Sequence, residues 1–280
     1  MTQPNALPED QYADCPNGQR MHYIDQGEGP VVVFLHGSGP GASGHSNFQG
    51  NYPVFAQSGY RCLVPDLIGF GFSDKPEDVD YPLAFFVECV KQTLDAAGVT
   101  RCAVVGNSLG GAVAIGLALS YPELVEKLIL MAPGGMSERE EYMHMPGMQK
   151  MFEVYLSEEP ASTDKMRELF EFGLVHDARH VTDALLAQRM QIMALMNSQV
   201  MLTMDIPHLP ARLPELKCPV LVFWGTNDRM MPDSGILALV NHCARMKMLV
   251  LSECGHWAMV EHEALFNREC LQFLEADTNL

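Results

Sequence analysis

Basic residues are scarce in this chain. Eighteen lysines and arginines stand against 35 aspartates and glutamates, a net charge of −17 over 280 residues. That balance argues against nucleic acid or an anionic membrane as partner and favours solubility. No apolar run reaches the length of about eighteen residues that spans a bilayer. The opening, MTQPNALPEDQYADCPNGQ, has neither a basic n-region nor an apolar h-region, so no secretory signal is expected. Eight cysteines fall at positions 15, 62, 89, 102, 218, 243, 254 and 270 without a CxxC pair, which leaves a zinc ribbon or a thioredoxin motif unsupported. Reduced thiols in the cytoplasm are the expectation, with Cys102 a buried thiol in a strand. The phosphate-loop pattern GxxxxGK[ST] is missing, as are internal repeats and low-complexity tracts.

What is present is a globular composition, 48% apolar, long enough for one large domain with an insertion. Short apolar runs recur: VVVFLH (31–36), CLVPD (62–66), AVVGN (103–107), KLILMAP (127–133), PVLVFWG (219–225) and MLVLSE (248–253). Unalternated runs of this length suit strands covered on both faces, as in a parallel sheet. Asn17-Gly18 between two alternating segments predicts an antiparallel hairpin at the N-terminal edge. Segments 83–97 and 108–120 carry apolar residues at three- and four-residue spacing, and the second must end at Tyr121-Pro122. Strands alternating with helices predict an α/β fold with a mostly parallel sheet. From about Ser137 to Pro210 helical signals dominate and no strand is expected. Eleven of the nineteen methionines lie between Met136 and Met204. The organisation expected is a core of residues 1–137 and 210–280 carrying a helical cap, 138–209. Most of those methionines are accounted for by helix packing, while a methionine-rich lid could also mould to an apolar ligand.

The chemistry gathers in four loops. VVGNSLGGAVA (104–114) sets Gly-x-Ser-x-Gly between an apolar run and a helical one. Such a turn strains the serine backbone, excludes bulk around it and exposes a nucleophilic hydroxyl, here that of Ser108. A serine nucleophile needs a base, and the base needs an orienting acid, in the order Ser, Asp, His on this topology. Asp228 in LVFWGTNDRMMP and His256 in LVLSECGHWAMVEH both follow strand runs and satisfy that order. The Leu109 N–H is expected to face the oxyanion, with Ser38 N–H in FLHGSGPGA as the second donor.

HGSGPGASGHSNF, PDLIGFGFSDKP, GNSLGG, GTNDRMMP and CGHWAMVEH together resemble the meta-cleavage product hydrolases of the α/β-hydrolase superfamily. The resemblance runs over essentially the whole chain. It implies hydrolysis of a carbon–carbon bond in small 2-hydroxy-6-oxo-hexa-2,4-dienoates, products of catechol ring cleavage in bacterial aromatic degradation. The expected products are 2-hydroxypenta-2,4-dienoate and a carboxylic acid. It implies no cofactor, no metal, and a homo-oligomer. It also implies substrate-binding roles for Asn47 after the glycine loop, Asn107 before the nucleophile and Trp257 after the histidine. An arginine over the substrate carboxylate is implied too. Arg189 occupies its place, although Met190 stands where an aromatic commonly follows, and Arg179 is the reserve candidate. Two other readings share the triad. A carboxylesterase of the same fold would not need Arg189, and a non-catalytic ligand receptor would retain its ligand. Serine rather than aspartate at position 108 argues against a dehalogenase or epoxide hydrolase. The group borne on C6 of the substrate is left open.

Overall fold

A computed structural model describes residues 10–15, 18–155, 157 and 162–276. In chain order its strands are β1 (Asp10–Asp14), β2 (Arg20–Gln26), β3 (Val31–Leu35), β4 (Arg61–Pro65), β5 (Tyr81–Pro82), β6 (Cys102–Asn107), β7 (Val125–Met131), β8 (Met204–Asp205), β9 (Val220–Gly225) and β10 (Met246–Leu251). Eight of them form one sheet in the order β1-β2-β4-β3-β6-β7-β9-β10. The β1–β2 and β2–β4 pairings are antiparallel, and the remaining five are parallel. β6 and β9 are buried at every position, as continuous apolar runs between two helical layers require. The N-terminal hairpin forms with Asp14 opposite Arg20, while Asn17 of its turn lies outside the described residues.

β10 differs from the strand buried on both faces that its apolar run suggests. It is the edge of the sheet, none of its six residues is buried, and Val250 is 49% exposed. An edge strand has a neighbour on one side only and incomplete cover. The helix Leu109–Ser120 starts one residue later than expected, with Ser108 as its cap, and ends before Pro122. It is buried on nearly all sides, so its apolar residues do not form a stripe.

Between β7 and β9 the chain is mainly helical. Its helices are Arg139–His144, Pro146–Tyr155, Thr163–Leu169, Asp183–Met193 and Gln199–Thr203. A π-helical turn, Phe170–Leu174, continues Thr163–Leu169 and closes with Val175 N–H donating to Phe170 O at 3.2 Å. The expected absence of a strand here does not hold, because β8 pairs in parallel with β5, Tyr81 opposite Met204. Two residues are too few to show alternation, so sequence pattern could not reveal it. The pairing fastens the end of the helical segment to the sheet domain. The loops that carry the candidate site leave the carboxyl ends of β3, β6 and β9 and follow β10, where open α/β sheets form their crevice. Among the described residues no helix is long and apolar enough to cross a membrane.

Candidate active site

Ser108 sits at the turn from β6 into Leu109–Ser120 with φ +56° and ψ −119°, a conformation that costs about 1–3 kcal/mol for a non-glycine residue. The surroundings hold it there. Its N–H donates to Met131 O at 3.0 Å, and its carbonyl accepts from Gly134 N–H at 2.8 Å. A side chain at Gly106 would strike the Gly110 carbonyl oxygen, and one at Gly110 would strike that of Leu35. Those two glycines are therefore demanded by close backbone approach around the serine. Ser108 opens into a cavity of about 900 Å³ that Ser38, Asn47, Asn107, Leu109, Arg189, His256 and Trp257 also line.

His256 is buried, and its Nδ1 donates to Asp228 Oδ2 at 2.8 Å. The other Asp228 oxygen accepts from the Met230 and Met231 N–H groups at 2.7 and 3.0 Å. Those two amides fix the carboxylate plane and direct its second oxygen at the imidazole. With Nδ1 carrying the proton, Nε2 is left as the acceptor, the tautomer a general base needs. Glu261 braces the histidine loop, accepting from Gly255 N–H at 2.6 Å and from His176 N–H at 2.7 Å. It thereby joins the loop to the helical segment.

Ser38 and Leu109 line the cavity beside Ser108. Two side chains to which the sequence reading gave no role hold the Ser38 loop. His36 is wholly buried, donates from Nδ1 to Gly37 O at 2.7 Å and accepts at Nε2 from Leu67 N–H at 2.9 Å. Burial pulls its pKa down to about 4, which keeps the ring neutral and able to accept. Tyr155, at the end of helix Pro146–Tyr155, donates its hydroxyl to Ser38 O at 2.9 Å. His36 stood in the quoted run FLHGSGPGA, so its position was visible. Tyr155 had no local signal, because its partner lies 117 residues away.

Arg189 is fully buried on helix Asp183–Met193. Its guanidinium carbon lies 5.0 Å from the Trp257 ring centre and 5.4 Å from that of Phe170. Its Nη2 donates to Asn47 Oδ1 at 2.6 Å, Asn47 Nδ2 to Asn107 Oδ1 at 3.3 Å, and Asn107 Nδ2 to Met131 O at 3.3 Å. One hydrogen-bonded chain thus runs from the arginine to the residue before the nucleophile. Gly41 allows this approach: at φ +64° it lies against the Arg189 carbonyl, where any side chain would collide. Burial lowers the Arg189 pKa to about 9, opposed by Tyr155, so the group stays charged at neutral pH. Its Nε and Nη1 have no hydrogen-bond partner among the described residues. Leaving a buried donor unmet costs about 1–3 kcal/mol, more for a charged one, and an anion would satisfy both of these donors. Arg179 lies elsewhere: it is exposed, paired with Asp177 at 3.1 Å, and absent from the cavity wall. Among the described residues no group of three or more His, Cys, Asp or Glu is arranged to hold a metal.

The sheet order, the strained serine and the buried Asp–His pair are those of an α/β hydrolase. The family described as alpha/beta hydrolase fold matches residues 30–263, and the chain belongs to it. Narrower likeness follows from curated relatives and a solved structure. The chain is 38% identical over 266 residues, 91% of each chain, to a 2-hydroxy-6-oxononadienedioate/2-hydroxy-6-oxononatrienedioate hydrolase of Burkholderia vietnamiensis. It is 36% identical over 264 residues, again 91% of each, to a 2-hydroxy-6-oxo-6-phenylhexa-2,4-dienoate hydrolase of Burkholderia cepacia. A meta-cleavage product hydrolase from Pseudomonas fluorescens, solved as a mutant with acetates, superposes with a TM-score of 0.82. That likeness spans 96% of this chain and 97% of the other at 28% identity.

Proposed function

We propose that this chain hydrolyses the C5–C6 bond of 2-hydroxy-6-oxo-hexa-2,4-dienoate-type ring-cleavage products. The products are 2-hydroxypenta-2,4-dienoate and a carboxylic acid. The observation that carries the reading beyond a plain esterase is Arg189. A dry, unsatisfied guanidinium in the cavity, linked through Asn47 to Asn107 beside the nucleophile, suits a substrate with a carboxylate at one end. An ester without a carboxylate gives it nothing to hold.

The substrate carboxylate meets Arg189, and the 2-hydroxy oxygen lies near Asn47 and Asn107. The first stage moves the enol proton to C5, giving the keto tautomer, while the arginine and the asparagine amides stabilise the developing negative charge. In the second stage Ser108 passes its proton to His256 and attacks C6. The Ser38 and Leu109 N–H groups hold the resulting oxyanion. The C5–C6 pair of electrons leaves onto C5 and spreads to the 2-oxo group, and a proton from His256 completes the dienoate. Water then hydrolyses the acyl group from Ser108, with His256 again as base and Asp228 holding its tautomer. Trp257 and Phe170 keep water from the arginine.

In this reading residues 138–209 act as a cap over a core of 1–137 and 210–280, and the protein works in the cytoplasm as a homo-oligomer. Self-association is supported by apolar side chains left exposed on helix Ser234–His242 and edge strand β10: Leu237, Val240 and Val250 are 63%, 55% and 49% exposed. The test of the function is a direct comparison of turnover on a ring-cleavage dienoate and on a simple aryl ester. Loss of the dienolate colour at a kcat/KM far above that for the ester is expected. Ester hydrolysis with an inert dienoate would return the assignment to a carboxylesterase. Tight retention of the dienoate after one slow turnover would favour a receptor.

A further inference from the structure

The relatives are named for substrates whose C6 groups are opposite in character, one a dioate and one bearing a phenyl ring. The cavity itself separates these cases, provided the dienoate reading above holds. Its two ends are unlike. Arg189, Asn47 and Trp257 make one end, with Tyr155 beside them on the Ser38 carbonyl. Helix Pro146–Tyr155 leads away from that end. At its start, Gly147 N–H donates to Arg229 O at 2.8 Å, and a Cβ there would lie 2.6 Å from Met230 Sδ. Eight residues of helix, about 12 Å, separate the two anchor points. Along this helix Met148, Met151 and Phe152 line the cavity, with Met148 next to the Gly147 anchor, and Met230 and Met231 line it from the Asp228 loop.

We infer that this methionine-lined end is the subsite for the C6 substituent, and that it takes an uncharged apolar group such as phenyl or branched alkyl rather than a carboxylate. With the carboxylate on Arg189 and C6 at Ser108, the substituent points past the triad toward Met148 and Met230. Unbranched thioethers adapt to a ring or an irregular alkyl group and make favourable sulfur–aromatic contacts. The charges on the wall speak the same way. Glu138, Glu153 and Asp205 are acidic and, like Arg139, exposed at the rim. Of the basic wall residues other than Arg189 and His256, His208 faces Glu138 at 3.2 Å and Arg139 is exposed. A second carboxylate would leave water for thioethers and a surplus of like charge.

The experiment measures kcat/KM on three dienoates differing only at C6: phenyl, isopropyl and 2-carboxyethyl. Phenyl and isopropyl should both exceed carboxyethyl by about a hundredfold or more, because an unpaired anion is rejected far more strongly than a change of apolar size. Met148→Lys should narrow that gap at least about tenfold by supplying a cation, with circular dichroism and thermal melting as the check on folding. Equal or better turnover of the carboxyethyl compound would overturn the inference while leaving the dienoate reading intact. Loss of that preference in Arg139→Ala would then place the anion site at Arg139. Failure of all three dienoates beside a hydrolysed aryl ester would overturn the dienoate reading and this inference with it.

Discussion

The two walls of the cavity are built on different principles. Around Ser108 the backbone does the work: a positive φ, two glycines that admit no side chain, and paired amides on Asp228. Around Arg189 side chains do it: two aromatic faces, an asparagine relay and a tyrosine reaching back to Ser38. The serine and aspartate loops of the first wall are anchored by the fully buried strands β6 and β9. The second joins Asn47 and Trp257 of the sheet domain to side chains of the helical segment, Arg189, Phe170 and Tyr155. The difference teaches that reaction chemistry here is fixed by steric demands on the main chain, and recognition by contacts between distant side chains.

Removing the Ser108 hydroxyl should have the largest effect. Ser108→Ala is expected to lose roughly 10⁴-fold or more in kcat while still binding dienoate, as a binding titration against the dienolate spectrum would reveal. Near-normal turnover would remove Ser108 from the chemistry and erase the contrast between the walls.

That contrast also decides what could be read from sequence. Steric demands leave local marks, so GNSLGG, GTNDRMMP and CGHWAMVEH mark the loops of Ser108, Asp228 and His256 in the sequence itself. Long-range contacts leave none. Met190 stood where an aromatic was expected after Arg189, and the structure supplies the aromatic faces from Phe170 and Trp257 instead. Phe170 begins a π-helical turn, an irregularity that periodicity does not reveal. Apolar runs locate the strands but do not separate central β9 from edge β10, since MLVLSE is as unalternated as PVLVFWG; the one local mark of the edge is Lys247 within β10. Two-residue β8 lay below the reach of any pattern.

The Ser38 loop lies between the walls and is held from both sides. On the core side, His36 is neutral in the fold with its pKa pulled to about 4 and returns to about 6.5 on unfolding. The unfolded chain therefore binds an extra proton between those values. The stability this contributes is complete above about pH 6.5 and is lost as pH falls toward 4. The gap corresponds to about 3 kcal/mol. Denaturant melts between pH 7 and pH 4 should show this slope in the parent and a flatter one in His36→Gln. Equal slopes would mean that His36 does not titrate across the unfolding transition.

On the helical side the effect is smaller. Tyr155→Phe removes the donor to Ser38 O and leaves a buried carbonyl unmet, a cost of about 1–3 kcal/mol. If the bond positions the Ser38 N–H, the loss should fall on kcat, about tenfold, with KM little changed. A change in KM alone would make Tyr155 part of the pocket wall and no more.

The account stands on Arg189 as the group that turns a serine hydrolase site into one for dienoates. The decisive measurement is kcat/KM of Arg189→Ala on two substrates, a ring-cleavage dienoate and a neutral aryl ester. Truncating one partner of a buried charge pair costs roughly 2–5 kcal/mol, so dienoate turnover should fall roughly thirty- to several-thousand-fold. Ester turnover should stay near that of the parent, because the ester offers the arginine no carboxylate. Equal loss on both substrates, or no loss on either, would contradict the claim.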